Sequence, residues 1–324
     1  MGVDGEWQLV TRRAKQPKAK AKKAANAGFT YRDDGRRQRH EDDAGARRDA
    51  ICERVARVAA ALRNDDLLQH AVTAIASHWQ LHSARGSESD ASEGAAHCGD
   101  GESEVHVVSY GLGSFCAASN AVYQLAFARA LQEALAAKAA VRVMEIFDPV
   151  MNETDVEIAA HFGFRTIERN ECGKRAAVAR TVFFMPHCGR TLYENVLASN
   201  WSAATLPDVV IVGNSFEAYS DRLISASERR VNVLVGVLPF VSETLLRTSL
   251  PKVHDEFTQY EAAFNDLSVH VFPPARALEA LQNEALAAHV AAIADSKPKD
   301  SGELIAAAPA PAPASPAATA RSRG

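Results

Sequence analysis

Apolar runs alternate with amphipathic stretches through the middle of the chain, in the order expected for strands and helices that follow one another. VHVVSYG (105–111) and DVVIVGNSF (208–216) are continuous and apolar, which is typical of strands buried on both faces of a sheet. AASNAVYQLAFARALQEALAAK (117–138) has helical periodicity and many strong helix formers. The pattern predicts an α/β fold of the Rossmann-like type, with a mostly parallel sheet and helices on both faces.

Shorter runs extend the same alternation toward both ends of the chain. Four more strands are predicted at VRVMEIFDPV, FRTIER, RTVFFMPHC and LSVHVFP. The stretch TDVEIAAHFG (154–163) predicts a helix with Thr154 as its N-cap and Glu157 in the capping-box position. Residues 49–82 predict two amphipathic helices packed on the main body.

Composition divides the chain into segments. Charged residues dominate its start, Ser, Gly and acidic residues interrupt it after the two helices, and Pro and Ala dominate its end. We therefore predict a disordered basic arm (1–48), a helical region (49–82), an acidic flexible insertion (83–104), a Rossmann-like domain (105–290) and a disordered Pro/Ala tail (291–324).

Charge and cysteine content limit the classes of function. The formal charge of −4 over 324 residues gives no overall nucleic-acid or membrane signature, and no run reaches the ~18 apolar residues of a membrane span. Residues 11–23 carry seven basic side chains and no acid, so they suit a nuclear-localisation signal, a nucleic-acid patch or a solubilising tail. The five cysteines lack CxxC spacing, which argues against a zinc site. We expect no metal and a cytoplasmic or nuclear location.

In such a sheet, ligand-binding and catalytic residues lie at the carboxyl ends of the strands. The ligand-binding candidates at these ends are Gly111, Gly113, Asp148, His187, Cys188, Gly213, Asn214 and Ser215.

The turn after the first strand allows two interpretations. Gly111 and Gly113 begin a dinucleotide fingerprint whose third glycine is replaced by Cys116. The backbone N–H groups of the turn can hold an anion, and Asp148 can accept hydrogen bonds from ribose hydroxyls, so a nucleotide or S-adenosylmethionine is the candidate cofactor. Alternatively, the glycines serve only a tight turn and Asp148 only starts the turn at Pro149.

The other candidate residues can also serve a structural role instead of binding a ligand. His187 and Cys188 suit ligand contact better than a catalytic dyad, because neighbouring residues in an extended segment point to opposite faces. Asn214 and Ser215 can contact a polar ligand or cap the helix that begins near Glu217. A separate cationic pair can contact a phosphate or form a solvated loop: Lys174 and Arg175.

Several motifs occur in the order known from one family. They are YGLG, a D-P strand end, E-x-G-K-R, M-x-H-C-G, N-W and G-N-S-F, and they span about 105 to 273. In these motifs the chain resembles the SRR-like family, named for "sensitivity to red light reduced" in plants. The motifs of that family fall on Gly111, Gly113, Asp148, Lys174, Arg175, His187, Cys188, Asn200, Trp201, Gly213, Asn214, Ser215 and Phe216.

The resemblance implies a regulatory role. Plant members are linked to phytochrome signalling and the circadian clock, animal members to haem biosynthesis and a fungal member to microtubule-related processes. Haem is thus a candidate ligand by family association alone, with His187 and Cys188 as axial candidates. We expect a regulator that acts through protein partners and can sense a small ligand at the strand-end cleft. We expect no membrane contact and no nucleic acid except through residues 11–23. The alternative is a transferase-like enzyme that uses a nucleotide-type cofactor such as S-adenosylmethionine.

Overall fold

The computed structural model describes residues 34–80, 104–222 and 232–296, with side chains from residue 45 onward. Residues Asp43–Gly324 form one compact unit, and of the other unit, Met1–Asp42, the described part is the start of the first helix. The described helices are α1 (Asp34–Leu62), α2 (Asp66–Trp79), α3 (Ser119–Ala136), α4 (Glu153–His161), α5 (Arg190–Ser199), α6 (Phe216–Arg222), α7 (Val233–Val237), α8 (Phe257–Phe264), α9 (Pro274–Gln282) and α10 (Glu284–Asp295).

The strands form one seven-stranded sheet in the order β3-β2-β1-β4-β5-β7-β6. They are β1 (Glu104–Tyr110), β2 (Ala140–Phe147), β3 (Arg165–Thr166), β4 (Arg180–Met185), β5 (Val209–Asn214), β6 (Ser242–Leu245) and β7 (Leu267–Val271). The first five are parallel, and β7 runs antiparallel to both β5 and β6. The predicted α/β class with a mostly parallel sheet is therefore confirmed.

Two apolar cores cover the two faces of the sheet. On one face α1, α2, α3, α4 and α8 pack their buried side chains against the strands, and the rings of Phe127 and Phe184 lie 5.2 Å apart between centroids. On the other face α5, α6, α7, α9 and α10 pack over β4 and β5, around Phe183 and Phe216. The order β3-β2-β1-β4-β5 is that of a doubly wound fold, and it places the topological switch point between β1 and β4.

Two helices cross segment boundaries that composition suggested. α1 begins at Asp34 and α10 ends at Asp295, so the predicted boundaries at 48 and 290 fall inside helices. Near the first boundary Arg47 Nη2 donates to the carbonyl of Cys116 at 2.6 Å. Such a contact leaves no trace in local composition. The other predicted disordered residues, 1–33, 83–103 and 297–324, lie outside the described residues.

Two local details differ from the sequence prediction. α4 is capped by Asn152 and not by Thr154, because the Asn152 side chain accepts the N–H of Asp155 at 3.0 Å and the Asp155 carboxylate accepts the N–H of Asn152 at 3.0 Å. Glu157 therefore has no place in the capping box. The predicted strand FRTIER shortens to two residues, and the edge strand β6 was not predicted because its SETL sequence lacks an apolar run.

Candidate functional site

The turn after β1 needs both of its glycines. Gly111 has a φ of +73° and Gly113 a φ of +82°, in the left-handed region that glycine enters without steric cost. The N–H of Gly111 donates to the carbonyl of Phe147 at 3.1 Å, and a Cβ at Gly111 would lie 2.5 Å from the Cys188 sulfur. Backbone conformation and close packing thus both require glycine at position 111.

Two buried carboxylates hold the N–H groups of this turn. Asp148 accepts the N–H of Gly113 at 2.7 Å and that of Val150 at 2.9 Å. Asp155 accepts the N–H of Cys116 at 2.9 Å. Asp148 is 5% exposed and Asp155 is fully buried. Two of the donors that a phosphate would use at a glycine turn, the N–H groups of Gly113 and Cys116, are therefore engaged by the chain's own acids.

Burial also sets the protonation of the two reactive side chains at this end of β1. Burial raises the pKa of Asp148, although the N–H groups of Val150 and Gly113 lower it in part. Burial of the Cys188 sulfur raises the pKa of its thiol, which stays protonated near neutral pH and lies 3.4 Å from the carbonyl of Tyr110. Burial and the nearby charge of Asp148 both raise the pKa of this thiol, so neither favours the thiolate form that a catalytic cysteine uses.

The cavity that the described residues form beside the glycine turn is small. Its volume is about 10 Å³, the space of one water molecule, whereas ligand pockets measure about 300–1,000 Å³. The residues around it are Tyr110, Gly111, Phe147, Asp148, Pro149, Asn170, Gly173 and Leu192. This small cavity and the engaged N–H groups of Gly113 and Cys116 favour the tight-turn interpretation of the glycines.

The loop after β4 meets the end of β5 through one side-chain amide. The Asn214 Oδ1 atom accepts the N–H of His187 at 2.6 Å, which holds His187 at a φ of +55°. The Tyr193 hydroxyl accepts the N–H of Asn214 at 2.9 Å and donates to the carbonyl of Met185 at 2.5 Å. Asn214 and Tyr193 therefore tie the ends of β4 and β5 together.

Gly213 and Ser215 also make contacts within the protein. The Tyr193 ring occupies the space beside Gly213, where a Cβ would lie 2.6 Å from the Tyr193 hydroxyl. The Ser215 hydroxyl accepts the N–H of Ala218 at 2.9 Å, which is the helix-capping contact offered above as the alternative for Ser215. The sequence candidates thus form a continuous set of strand-end contacts from Gly111 to Ser215.

The cationic pair lies apart from this set, and its two side chains point to different partners. Lys174 Nζ donates to the carbonyls of Ile293 and Ala294, both at 3.3 Å, and to that of Ser296, at the C-terminus of α10. A cation at this place complements the partial negative charge of a helix end. The structure thus separates Lys174 from the strand-end crevice.

Arg175 belongs to a different network. It donates to both oxygens of Glu171 at 2.8 Å and also to Glu145. Burial opposes its charge, but the two carboxylates raise the pKa of Arg175 above its usual value. The Tyr110 hydroxyl donates to Glu171 at 2.7 Å, so the network connects the β1 strand end to the middle of β2.

Sequence reasoning missed three side chains that organise the site. The sequence indicates Asp155 only if Asn152 is recognised as the helix cap, because Asp155 then occupies the reciprocal position of the capping box. Glu171 stands four residues before Arg175 in the E-x-G-K-R stretch, and that spacing is the available signal. The sequence of α5 carries no signal that the Tyr193 hydroxyl contacts the strand ends.

The candidate axial atoms contact the protein itself. The His187 Nε2 atom lies 3.1 Å from the carbonyl of Ala263, and the Cys188 Sγ atom lies 3.4 Å from the carbonyl of Tyr110. Binding of haem through either atom would require that contact to break. Within 34–80, 104–222 and 232–296, no group of three or more His, Cys, Asp or Glu side chains is placed to hold a metal ion. No helix in these ranges has the length and apolarity to span a membrane.

Comparison with known proteins identifies a family but no similar solved structure. The SRR1 domain family model matches residues 95–271. A mouse "SRR1-like protein" is 41% identical over 126 residues, which is 38% of this chain and 49% of the mouse protein. The Arabidopsis protein "SENSITIVITY TO RED LIGHT REDUCED 1" is 30% identical over 171 residues, 53% of this chain and 60% of that protein.

A Drosophila "SRR1-like protein" is 30% identical over 167 residues, 52% of this chain and 55% of the fly protein. The chain thus spans about half the length of the relatives it matches. No solved structure matches the chain. The family match covers more than half of the chain and every strand-end motif described above, and the chain therefore belongs to the SRR1 family.

Proposed function

We propose that this chain is a regulatory protein that acts through protein partners and carries out no reaction at the switch point of its sheet. One observation carries the proposal: Asp148 and Asp155 accept the N–H groups of Gly113 and Cys116, beside a cavity of about 10 Å³. An incoming phosphate or ligand carboxylate would meet buried carboxylates there and would need both side chains to move.

The relatives are consistent with a regulatory role of a general kind. The name of the Arabidopsis relative describes reduced sensitivity to red light, which is a property of a response and not of a reaction. Light as the signal is not part of our proposal for this chain.

The location of the chain in the cytoplasm or nucleus is tested by imaging it with and without residues 11–23. An unchanged distribution would exclude these residues as a nuclear-localisation signal.

A ligand screen tests the proposal. The full chain is heated with S-adenosylmethionine, ATP, NAD and haem, each in large excess, and its melting temperature is recorded. Any compound that binds the native state at about 100 times its Kd adds about 2.7 kcal/mol of stability, a shift well above error. We expect no shift. A saturable shift that disappears in Asp148→Asn, a variant of nearly equal shape, would refute the proposal.

The second candidate is the transferase-like enzyme. It is favoured by one observation, the strand order β3-β2-β1-β4-β5, which places a cofactor crevice between β1 and β4 with Asp148 at the end of β2. This function requires Cys188 to withdraw from Gly111 when the cofactor binds. A shift with S-adenosylmethionine in the same screen, together with increased alkylation of Cys188 in its presence, would support the enzyme over the regulator.

A further inference from the structure

A second cavity lies on the sheet face shared by β1, β2 and β4, away from the strand-end crevice. Its volume is about 310 Å³, at the lower end of the range of binding sites. Val108, Val143 and Val178 contribute apolar surface to it, and Arg165 and Arg175 contribute charge. We refer to the cavity bounded by these five residues, together with the Glu145 carboxylate, as the arginine groove.

The arginine groove exists because the helices leave this part of the sheet open. β2 lies between β1 and β3, yet most of its residues are only half-buried, whereas β4 and β5 are almost completely buried. Parallel strands are normally covered on both faces. Val178 is 85% exposed beside this surface. Val178 is thus an exposed aliphatic side chain at the rim of a cavity whose volume reaches the lower end of the range of binding sites.

The exposed charge of the groove is positive. The Arg165 side chain is 75% exposed, whereas the side chain of its partner Glu145 is 8% exposed. Burial opposes ionisation of the Glu145 carboxyl, but the hydrogen bonds from Arg175 and Arg165 hold its pKa below the usual value. Glu145 and Glu171 together balance the charges of Arg165 and Arg175, and the group of this network that faces solvent is the Arg165 guanidinium.

Arg165 is available to a second anion. Its Nε and Nη2 atoms donate to one oxygen of Glu145, at 3.0 and 2.5 Å. Arg175 also donates to Glu145, so this buried carboxylate keeps a cationic partner when Arg165 contacts a second anion. Arg175 itself is held by Glu145 and Glu171 and is 22% exposed, so Arg165 is the arginine that a partner can reach.

The position of the groove favours an extended partner. β3 pairs with β2 only through Glu145 and Ile146, so the amino-terminal half of β2 lies at the edge of the described sheet. An extended peptide can align with a sheet edge and place alternate side chains into adjoining pockets. In a peptide whose carboxylate and aliphatic side chains alternate, the carboxylates match Arg165 and the aliphatic side chains match Val143 and Val178.

We propose that the arginine groove docks an extended segment of a partner protein in which Asp or Glu alternates with aliphatic residues. This inference rests on the proposed function, because it names the surface and the chemistry through which a regulator contacts its partner. The partner's carboxylate pairs with Arg165, and its aliphatic side chains cover Val143 and Val178.

The test uses two fluorescent peptides and the full chain. One peptide alternates valine with glutamate, and the other alternates valine with lysine. Anisotropy is measured between about 50 and 300 mM salt, where screening weakens exposed ion pairs. We expect the glutamate peptide alone to bind, with an affinity that falls as salt rises. Hydrogen exchange in the 175–181 segment should slow when the peptide is bound.

Arg165→Glu should lower this affinity about tenfold or more, because it replaces attraction by repulsion at an exposed position. Arg63→Glu is the matched control. The Nε and Nη2 atoms of Arg63 likewise donate to one oxygen of a glutamate, Glu133, and its side chain is 55% exposed. It should bind like the wild type. Both variants should be folded at the temperature of the binding assay, as checked by circular dichroism, although Arg165→Glu should melt below the wild type because it places a carboxylate beside the buried Glu145.

Three results would overturn the proposal: no binding of the glutamate peptide, equal binding of the two peptides, or equal affinity in Arg165→Glu and the wild type. Binding that inorganic phosphate abolishes, without slower exchange at 175–181, would also refute it in favour of a small-anion site. These failures concern the groove alone. The regulatory proposal fails separately, when a compound binds the switch-point crevice in the ligand screen.

Discussion

Gly213 distinguishes a packing role of the strand-end residues from a ligand-binding role. A Cβ at this position would lie 2.6 Å from Cε1 and from the hydroxyl of Tyr193, and 3.0 Å from Cζ. Tyr193 is 2% exposed, and its hydroxyl is hydrogen-bonded to Met185 and Asn214. Gly213→Ala must therefore displace a buried ring and separate the ends of β4 and β5.

The expected loss of stability has two parts. Overpacking a core by one methyl group costs about 1–3 kcal/mol. Leaving the buried partners of the Tyr193 hydroxyl unpaired costs about 1–3 kcal/mol more. The free energy of unfolding should thus fall by about 2–6 kcal/mol. For a urea slope of about 3 kcal/mol per molar, the unfolding midpoint falls by about 0.7–2 M.

Urea unfolding followed by circular dichroism measures this difference, with Gly163→Ala as the control. Gly163 has a φ of +84° but no atom within 4 Å of its added Cβ, so this variant reports backbone strain alone. That strain costs about 1–2 kcal/mol. Gly213 lies in a strand, so its substitution reports the close approach of Tyr193.

Two results would refute this reasoning. The packing role is wrong if Gly213→Ala unfolds at the wild-type urea concentration, or if it loses no more stability than Gly163→Ala. A variant that keeps wild-type stability but no longer responds to a compound that stabilises the wild type would instead show that Gly213 leaves room for a ligand.

Three further predictions follow from single contacts. Because burial raises the pKa of the Cys188 thiol, iodoacetamide near neutral pH should leave Cys188 unmodified in the native chain and label it after unfolding, as measured by peptide mass spectrometry; labelling of the native chain would contradict this. Burial raises the pKa of Glu243, but the hydrogen bond and charge of His270 dominate and hold it at about 2, below the ordinary 4.5, so its stabilisation is present above pH 4.5 and lost as pH falls through about 2. Between about pH 6 and pH 3 the wild type should therefore lose more stability in urea than Glu243→Gln, and parallel losses would refute the ion pair. Lys174→Met should speed hydrogen exchange at the end of α10 and cost about 0.3–1 kcal/mol, whereas unchanged exchange would exclude the helix-end contact.

The sequence by itself determined the features that depend on neighbouring residues. Continuous apolar runs predicted most of the strands, since a strand buried on both faces needs apolar residues at every position. The GxG turn after β1 was predictable because only glycine enters the left-handed region freely, and φ values of +73° and +82° at Gly111 and Gly113 agree with it. The ordered motifs over 105–273 gave the family, and the family model confirms it.

Only the tertiary structure decided what those residues contact. Periodicity carries no strand direction, so the antiparallel β7 and the short edge strand β6 emerged from the sheet pairing. Asp148 turns its carboxylate to Gly113, and Lys174 reaches the end of α10, through contacts between residues far apart in the chain. The arginine groove likewise arises from three strands and the segment before β4. Local sequence sets backbone preference, whereas such contacts form only when distant segments pack together.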